Sequence, residues 1–333
     1  MNIVVERPGL LTTLQDLGRV GRQHLGVPVN GAMDEVSHRM ANWLVGNDDG
    51  EATLEMTLTG PALVFGVDAV IAVCGAGMGA KVDGEALPQW RPVRVPAGAK
   101  VVFGRAQWGS RAYLAVAAGF DVPAVMESRS TALLGGYGGF RGRALRKGDV
   151  IDLRSPDEAH TVRWIGLLSR SHRGLAFPSW SVSRARLPRP QTLQTIRVVP
   201  GRHWQAFPVA VRDQLTQGEY RVLPDSDRMG FRLDGQALEA RRGNDVLSEG
   251  VVMGAVQVPP GGQPIVLMAD RQTAGGYPVI AVVASIDLPL MAQLAPGDRL
   301  RFELITLEQS YAELAARERK LGMIREALWA RLR

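Results

Sequence analysis

The sequence predicts a mainly β protein made of two related β-domains, and three observations carry that prediction. The chain is rich in turn residues, with 38 glycines and 20 prolines, as expected of many short strands joined by turns. Apolar runs bounded by these turn residues recur along most of the chain. A weak internal repeat relates the first half to the second.

Length and composition agree with this fold class. The chain has 333 residues, of which 46% are hydrophobic, enough for about two domains with buried cores. Its net charge is +6, and most of the basic residues are arginines. Because no long basic block carries interleaved aromatic residues, arginines scattered over a solvated surface are preferred to a nucleic-acid surface.

Signals for processing and for redox chemistry are sparse. Cys74 is the single cysteine and lies within an apolar run, so we expect a buried, inert thiol and neither a disulfide nor a thiolate metal site. Residues 1–5 lack the features of a signal peptide, and no apolar run approaches about 18 residues. We therefore expect a cytoplasmic protein that does not enter a membrane.

The N-terminal half begins with a strand, Ile3–Glu6, and contains one clear helix. Asp34 is well placed to cap a helix from Glu35 to about Val45. Arg39 and Asn42 lie off its apolar stripe, and solvated positions are preferred to cleft-facing ones. The apolar stripe consists of Val36, Met40, Trp43 and Leu44.

The glycine-rich segment at residues 75–79 follows an apolar strand, as in dinucleotide-binding proteins. That fingerprint needs a helix next, whereas residues 81–84 have the composition of a hairpin turn. We therefore interpret residues 75–79 as a glycine-rich β-turn and reject a Rossmann site. A Walker-type phosphate loop is also absent from the sequence, so we do not expect this chain to bind ATP through such a loop.

A second glycine-rich segment, residues 135–142, is flanked by Arg129, Arg141 and Arg143. Glycines there give a ligand access to the backbone, or they form a simple loop with solvated arginines. The pattern favours neither interpretation.

The composition changes at residues 169–191, which are rich in Ser, Arg and Pro and predict a linker. The predicted domains are therefore 1–168 and 192–306, followed by a helix at 307–333. That helix carries an apolar stripe expected to dock on the body of the protein or on a partner. Its members are Leu307, Tyr311, Leu314, Leu321, Ile324, Leu328 and Leu332.

The internal repeat is clearest where a Leu-x-x-Gly-Asp turn precedes a strand. It occurs at residues 145–149 and again at 294–298. Gly-Asp turns before strands are common, so the order of several weak matches, rather than this one alone, predicts two related domains.

The polar segment between two apolar runs at residues 248–283 is the strongest candidate for a site. Ile265–Met268 and Val279–Ala284 are predicted strands, and residues 269–278 supply an acid, a guanidinium, an amide, a hydroxyl and a phenol. Sites are commonly built on loops held by rigid strands. A long β-hairpin with a polar tip is the alternative, and the pattern alone leaves both open.

Common catalytic motifs are missing elsewhere. The histidines lack the spacing of a zinc site, and no Gly-x-Ser-x-Gly elbow supports a serine hydrolase. What remains are carboxylates, arginines and a phenol beside glycine-rich turns, which suit acid–base chemistry or substrate orientation. These residues are Asp34, Glu55, Arg129, Arg228, Glu249, Asp270 and Tyr277.

Nine motifs occur in an order that is typical of one family. They lie at Gly31–Asp34, Arg39–Asn47, Leu54–Pro61, Ser128–Thr131, Gly135–Arg143, Ser226–Leu233, Ser248–Gly250, Gln257–Pro259 and Asp270–Pro278. Together they resemble the biotin-dependent carboxyltransferase family over about residues 3–303. This family includes 5-oxoprolinase, KipI-antagonist and allophanate-hydrolase subunits.

The resemblance implies two cyclophilin-like β-barrel domains, in agreement with the strand-rich repeat. It also implies that the chain is one subunit of a complex that opens 5-oxo-L-proline to glutamate with ATP hydrolysis. The implied partners are a KipI-like protein and a LamB/YcsF-like protein, with ATP acting at the level of the complex.

Two other functions stay open under the same resemblance. One is carboxyl transfer on biotin, as in urea carboxylase; the chain lacks a Met-Lys-Met carrier segment, so biotin would come from another protein. The other is a non-catalytic regulator that binds a KipI-like kinase inhibitor. The family's usual Lys after Gly-Gly-Tyr-Pro is Val279 here, and Glu127 replaces a usual Gly.

The resemblance and the polar pattern together single out a set of site residues. Asp270 or Glu249 would act as acid or base, and Arg228 would bind a substrate carboxylate or phosphate. Tyr277 completes the candidate catalytic group. The candidate substrate-binding residues are Gln272, Thr273, Gly275, Gly276, Asp34, Asn42, Glu55 and Arg129.

Overall fold

The computed structural model describes residues 1–155, 168, 171–172, 175–183, 193–240 and 246–332. The chain divides into two compact units. The first unit comprises Met1–Arg19, Asn30–Pro188 and Gly322–Arg333, and the second comprises Val20–Val29 and Arg189–Leu321. Most of the predicted linker at 169–191 lies outside the described residues.

The strands of the first unit form two sheets. One sheet has the order β11-β1-β4-β9-β6-β7, and the other has the order β12-β13-β8-β5-β10-β3-β2. The strands are β1 Asn2–Arg7, β2 Leu11–Gln15, β3 Thr53–Thr57, β4 Ala62–Phe65, β5 Ala69–Gly77, β6 Lys81–Val82, β7 Glu85–Ala86, β8 Pro92–Val95, β9 Lys100–Val102, β10 Trp108–Val116, β11 Val150–Asp152, β12 Ser171–His172 and β13 Leu175–Ala176.

The core of the first unit lies between these sheets. Ile3 and Phe65 of one sheet share a buried apolar cluster with Leu54 and Leu114 of the other. Helix α1, Glu35–Leu44, packs on β5 and β10. Strands covered in this way are buried along most of their length, which explains the unbroken apolar run that contains Cys74. Burial raises the pKa of the Cys74 thiol well above its ordinary value.

Helix α1 begins where the sequence predicts. The Ser37 N–H donates to Asp34 Oδ1 over 3.0 Å, as expected of an N-cap aspartate. The expectation that Asn42 is solvated is wrong, because its side chain is fully buried. Its Nδ2 donates to the Glu51 carbonyl over 2.7 Å, and its Oδ1 accepts from Asn47 Nδ2 over 3.1 Å. Asn42 therefore holds the loop that follows the helix.

The prediction of a β-turn at residues 75–79 is wrong for residues 75–77, which belong to a strand. Gly75 and Gly77 lie inside strand β5, and the hairpin turn falls at Asp83–Gly84, between β6 and β7. Strand β10 has a register irregularity opposite this part of β5. A Cβ on Gly77 would overlap the Trp108 indole, so glycine is needed there for close packing.

Seven strands of the second unit close into a barrel of order β14-β21-β18-β19-β16-β15-β22. The pair β14–β22 is parallel and the other pairs are antiparallel. The strands of this unit are β14 Leu193–Pro200, β15 Glu219–Val222, β16 Gly230–Asp234, β17 Glu249–Gly250, β18 Ala255–Gln257, β19 Ile265–Leu267, β20 Ala274–Gly275, β21 Val279–Val283 and β22 Arg299–Leu304.

The barrel confirms the mainly β class and rules out the long β-hairpin that was left open as an alternative for residues 248–283. The strands β19 and β21 are not a hairpin, because β18 lies between them and pairs with both. The polar segment that joins them instead forms β20, which pairs with β17 as a separate two-stranded ladder. The segment is therefore an inserted ladder beside the barrel wall rather than the tip of a hairpin.

The described residues also contain three further α-helices, α2 Val209–Gln217, α3 Leu288–Ala292 and α4 Leu307–Leu332. Three short 3-10 helices lie at Gln23–Leu25, Trp204–Ala206 and Ser285–Asp287. In α4, Leu321 and Leu328 are buried, but Leu307 and Tyr311 are exposed. The predicted apolar stripe thus docks only along the later turns of the helix. Within the described residues, no helix has the length and apolar character needed to cross a membrane.

The repeated Leu-x-x-Gly-Asp turns have matching hydrogen bonds. In each, the glycine has a positive φ, and the aspartate side chain accepts from the N–H three residues earlier. The donors are Arg146 N to Asp149 Oδ2 (2.7 Å) and Ala295 N to Asp298 Oδ2 (2.8 Å). The glycine N–H groups donate to Val5 and Val222 carbonyls over 2.7 and 2.8 Å.

Candidate functional site

The β17–β20 ladder places Glu249 directly opposite Gly275. The Glu249 side chain is 21% exposed, so its carboxylate is partly accessible to solvent. Arg202 Nη1 lies 3.0 Å from Glu249 Oε2, and His203 Nε2 lies 3.7 Å from Glu249 Oε1. Each oxygen of this carboxylate therefore faces a different basic side chain.

His203 is oriented by its neighbour on the barrel wall. Its Nδ1 accepts from the Val279 N–H over 3.1 Å. A ring nitrogen that accepts a hydrogen bond carries no proton, so the neutral imidazole holds its proton on Nε2, which faces Glu249. This residue was not predicted from the sequence; its only local signal is its place just after the end of β14, in Gly201-Arg202-His203.

Two amide side chains lie close to the α-carbon of Gly275. A Cβ there would lie 2.6 Å from Gln257 Nε2 and 3.3 Å from Gln272 Nε2. Gln257 is buried, and its Nε2 donates to the Tyr277 carbonyl over 3.4 Å. The ladder thus gathers amide groups beside Glu249.

Four of the predicted residues lie in or next to the β17–β20 ladder and are at least partly accessible. Gln272, Gly276 and Tyr277 are exposed and adjoin the buried Gly275 in the same short segment. With Glu249 they present a carboxylate, an amide and a phenol to solvent. These groups can orient a small polar substrate and transfer a proton to or from it.

Thr273 contributes to the ladder through its backbone carbonyl. That oxygen accepts from Val251 N over 3.1 Å and from Gln23 Nε2 over 3.1 Å. Gln23 Nε2 also donates to the Val251 carbonyl over 2.7 Å, and Arg271 Nη2 donates to Gln23 Oε1 over 3.4 Å. Gln23 therefore ties the two strands of the ladder together, and no sequence signal pointed to it.

Arg228 and Asp270 form a buried bidentate ion pair. Nε and Nη2 of Arg228 each lie 2.9 Å from an oxygen of Asp270. Both side chains are almost fully buried, and the Asp270 N–H donates to the Arg228 carbonyl over 2.8 Å. A fork-to-fork pair of this kind fixes the geometry of both segments, so these two candidates anchor the segment that leads into β20.

Glu55 and Asp34, in the first unit, belong to a buried network at the start of α1. Glu55 Oε2 accepts from Met33 N over 2.9 Å and from the Tyr113 hydroxyl over 2.8 Å. The Tyr113 hydroxyl accepts from Asp34 N over 2.8 Å. Burial, followed by the charge of Glu55, raises the pKa of Tyr113 well above its ordinary value.

Arg129 lies beside a buried aspartate that was not predicted as a site residue. Asp16 accepts hydrogen bonds from the Arg129 N–H and from the hydroxyls of Ser128 and Ser130. The Arg129 side chain donates through Nε to the Val122 carbonyl over 3.2 Å. The position of Asp16 just after β2, in Gln-Asp-x-Gly-Arg, was the available signal.

The glycine segment at 135–142 packs against the backbone of this network. Cβ atoms on Gly138 and Gly139 would overlap Ser130 and Thr131. Arg143, one of the flanking arginines, pairs with Asp149 through both terminal nitrogens, at 2.7 and 2.8 Å. This pairing lowers the pKa of Asp149. The glycines thus serve close packing, and Arg143 ties down a turn.

The predicted residues therefore separate into three groups, of which the buried Arg228–Asp270 pair is one. Glu249, Gln272, Thr273, Gly275, Gly276 and Tyr277 come together at the ladder of the second unit. Asp34, Asn42, Glu55 and Arg129 belong to buried networks of the first unit. Within the described ranges, no cluster of three or more His, Cys, Asp or Glu side chains is arranged to hold a metal ion.

Solved structures define the class to which this fold belongs. The chain matches the Kluyveromyces lactis urea carboxylase with a TM-score of 0.86 at 30% identity, over 96% of this chain and 29% of that one. It matches the K. lactis urea amidolyase equally well, with a TM-score of 0.86, and spans 20% of that chain. The architecture is thus one found as a part of longer urea-metabolising enzymes.

The family follows from the sequence comparison. Residues 25–304 match the family described as "Carboxyltransferase domain, subdomain A and B", and the chain belongs to that family. It is 37% identical to the 5-oxoprolinase C subunit of Escherichia coli, over 97% of this chain and 96% of that protein. It is 34% identical to the urea amidolyase of Saccharomyces cerevisiae, over 92% of this chain but 17% of that protein.

Proposed function

We propose that this chain is the C subunit of a 5-oxoprolinase, a complex that opens the lactam ring of 5-oxo-L-proline to give L-glutamate. One observation carries the proposal: the similarity to the E. coli protein spans 96% of its length. The similarity to the yeast urea amidolyase spans only 17% of a much longer enzyme. The chain therefore accounts for nearly all of the E. coli subunit but for only a small part of the yeast enzyme.

The proposed reaction breaks an unreactive amide bond in the lactam ring. A water oxygen bonds to the lactam carbonyl carbon, the ring C–N bond breaks, and the nitrogen keeps the electron pair and takes a proton. The phosphoryl group of ATP passes to the carbonyl oxygen before this water adds, which releases ADP, and a second water then frees it as phosphate from the acyl phosphate that ring opening leaves. Because an amide carbonyl is a poor electrophile, phosphorylation of its oxygen would drive the ring opening.

The ladder site supplies groups suited to the proton transfers. Glu249, whose two oxygens each face a basic side chain, would take a proton from the attacking water or return one to the ring nitrogen. Gln272 and Tyr277 would orient the lactam, which offers a carbonyl acceptor beside an N–H donor. Glu249 is favoured over Asp270 as acid or base, because Asp270 is buried against Arg228.

The partners are part of the same proposal. We assign the ATP step to another protein of the complex, because this sequence has no Walker-type phosphate loop. The proposed partners are one KipI-like protein and one LamB/YcsF-like protein. Their presence would complete a site of which this chain supplies the ladder.

An omission experiment tests this proposal. The chain is purified with its KipI-like and LamB/YcsF-like partners from the same source, and glutamate release from 5-oxoproline is followed with and without ATP. We expect turnover only when all three proteins and ATP are present. Equal turnover without this chain, or none in a well-formed complex, would refute the assignment. Glu249→Gln should lower kcat by about a hundredfold or more.

Carboxyl transfer on biotin is the second candidate, favoured by the fold match to urea carboxylase at a TM-score of 0.86. The ureido ring of biotin also offers a carbonyl beside N–H groups, so the amide of Gln272 would suit it as well. The carrier would be a separate protein. Transfer of radiolabelled carboxylate to or from a biotinylated carrier protein, dependent on this chain, would support this candidate.

A further inference from the structure

His203 is held to strand β21 at two points. Its backbone N–H donates to the Val279 carbonyl over 3.0 Å, and its Nδ1 accepts from the Val279 N–H over 3.1 Å. Val279 is buried and begins a strand of the closed barrel. The imidazole is thus fixed by rigid backbone, which is how a well-ordered supporting side chain is built.

The other side of this ring faces the accessible carboxylate. His203 Nε2, which carries the ring proton in the neutral form, lies 3.7 Å from Glu249 Oε1. The distance exceeds that of a direct hydrogen bond, so a small rotation of the Glu249 side chain or a bridging water would complete the contact. His203 can therefore present a proton donor to Glu249 from a fixed direction.

The second basic partner of Glu249, Arg202, is far more exposed than His203. Arg202 Nη1 lies 3.0 Å from Glu249 Oε2, but the Arg202 side chain is 76% exposed, against 18% for His203. An exposed arginine gains little from such a pair and can leave it readily. Of these two side chains, only His203 offers Glu249 a fixed partner.

We propose that His203 is a positioning residue for Glu249, holding its carboxylate at the β17–β20 ladder in the orientation that the reaction needs. The proposal rests on the proposed function, because it takes Glu249 as the acid or base of that reaction. Misplacement of a reacting group by about 1 Å can cost a hundredfold in rate.

Two variants separate the two hydrogen bonds of the ring. In His203→Asn, the amide oxygen takes the place of Nδ1 and keeps the bond from the Val279 N–H, but no group reaches Glu249. In His203→Gln, the longer side chain carries an amide N–H to Glu249. We expect His203→Asn to lower kcat by about 10- to 100-fold with KM within about threefold, and His203→Gln to stay within about fivefold of the wild type.

The controls use arginines of the same unit. Arg202→Gln removes the exposed partner and should cost less in kcat than His203→Asn. Arg221 forms an exposed pair with Asp234 at 2.8 Å, so Arg221→Gln should leave kcat unchanged. All variants are assayed within the complex of three proteins, and their melting temperatures are measured alongside.

Several outcomes would overturn the proposal. Wild-type kcat in both His203 variants would show that the residue does not act on Glu249. Equal losses in both, accompanied by lower melting temperatures, would assign His203 a role in the fold alone. Activity kept in His203→Asn and lost in His203→Gln would assign the effect to the Val279 bond.

A spectroscopic measurement keeps this proposal separate from the proposed function. If the wild-type complex releases no glutamate, the function is wrong, and the contact is then judged by NMR of the isolated chain. We expect the ring nitrogen shifts of His203 to show a bare Nδ1 and a protonated Nε2, and Glu249→Gln to move the Nε2 shift. An Nε2 shift that ignores Glu249→Gln would overturn the positioning role.

Discussion

At the scale of single residues, the Arg228–Asp270 pair shows how a candidate catalytic acid can be a structural anchor. Both of its hydrogen bonds are 2.9 Å long, and both side chains are almost fully buried. Removing one member of such a pair takes a charge–charge contact away from a buried place, which is destabilising. Activity lost in a variant at either position is therefore informative about catalysis only when stability is retained.

Asp270→Asn is expected to lower the free energy of unfolding by about 3–5 kcal/mol, because the Arg228 charge stays buried. Urea denaturation of the purified chain measures this change. The matched control is Asp234→Asn, which breaks the exposed pair with Arg221 and should cost less than about 1 kcal/mol. Wild-type stability in Asp270→Asn, together with lost turnover, would return Asp270 to the catalytic group.

His38 gives a prediction about pH. Burial lowers its pKa below the ordinary value of 6.5, and its ring nitrogens lie 2.9 Å from Thr53 Oγ1 and 3.0 Å from the Asp49 carbonyl. Between the folded and unfolded pKa values, the unfolded chain binds more protons. The free energy of unfolding should therefore fall as pH drops below about 6.5.

Denaturation across a pH series measures this dependence of the free energy of unfolding on pH. Replacing His38 with Gln should flatten the decline below pH 6.5, whereas the same change at the exposed His24 should leave it in place. A decline that is identical in the wild type and in His38→Gln would show that other groups cause the acid sensitivity.

At the scale of elements, the glycine segment 135–142 gives a matched pair of substitutions. Gly136 and Gly139 both have positive φ, but a Cβ on Gly136 would meet open space whereas one on Gly139 would overlap Thr131. Gly136→Ala should cost about 1 kcal/mol from backbone strain. Gly139→Ala should cost about 3 kcal/mol, because steric overlap adds to the strain.

Thermal or chemical denaturation of the two variants checks this difference. A cost that is equal in the two variants would mean that the segment relaxes away from Thr131 and that close packing does not explain its glycines. A greater cost for Gly139→Ala would confirm that the segment is part of the folded core of the first unit.

The sequence pattern predicts where helices and strands form, but not which strands pair. Helix α1 and its Asp34 cap were predicted because capping and 3.6-residue periodicity are local signals. The strands at Ile265 and Val279 were predicted because apolar runs bounded by turn residues are local signals too. Their partners were not, because such a run marks a strand without naming its neighbour, and β18 separates β19 from β21.

At the scale of the whole molecule, the repeat predicted two β-rich halves, and its clearest turns have matching hydrogen bonds in both. The sequence did not predict that Val20–Val29 belongs to the second unit. Gln23 is bonded to residues 228 and 250 positions away, and contacts at that separation leave no local pattern.

Only part of the candidate site could be predicted, because contacts between residues far apart in the sequence leave no local pattern. Glu249, Gln272 and Tyr277 sit in motifs that the family resemblance covers, so their grouping could be expected. His203 and Gln23 reach the ladder only through tertiary structure. The sequences around these two residues are not distinguishable from those of ordinary turns and loops.

We propose that this chain serves lactam opening rather than carboxyl transfer. The most direct test measures both products in one preparation of the complex with its two partners: glutamate from 5-oxoproline and ATP, and radiolabelled carboxylate on a biotinylated carrier. We predict ATP-dependent glutamate release that is lost in Glu249→Gln, with no label on biotin. Labelled biotin without glutamate release would contradict the claim and establish carboxyl transfer instead.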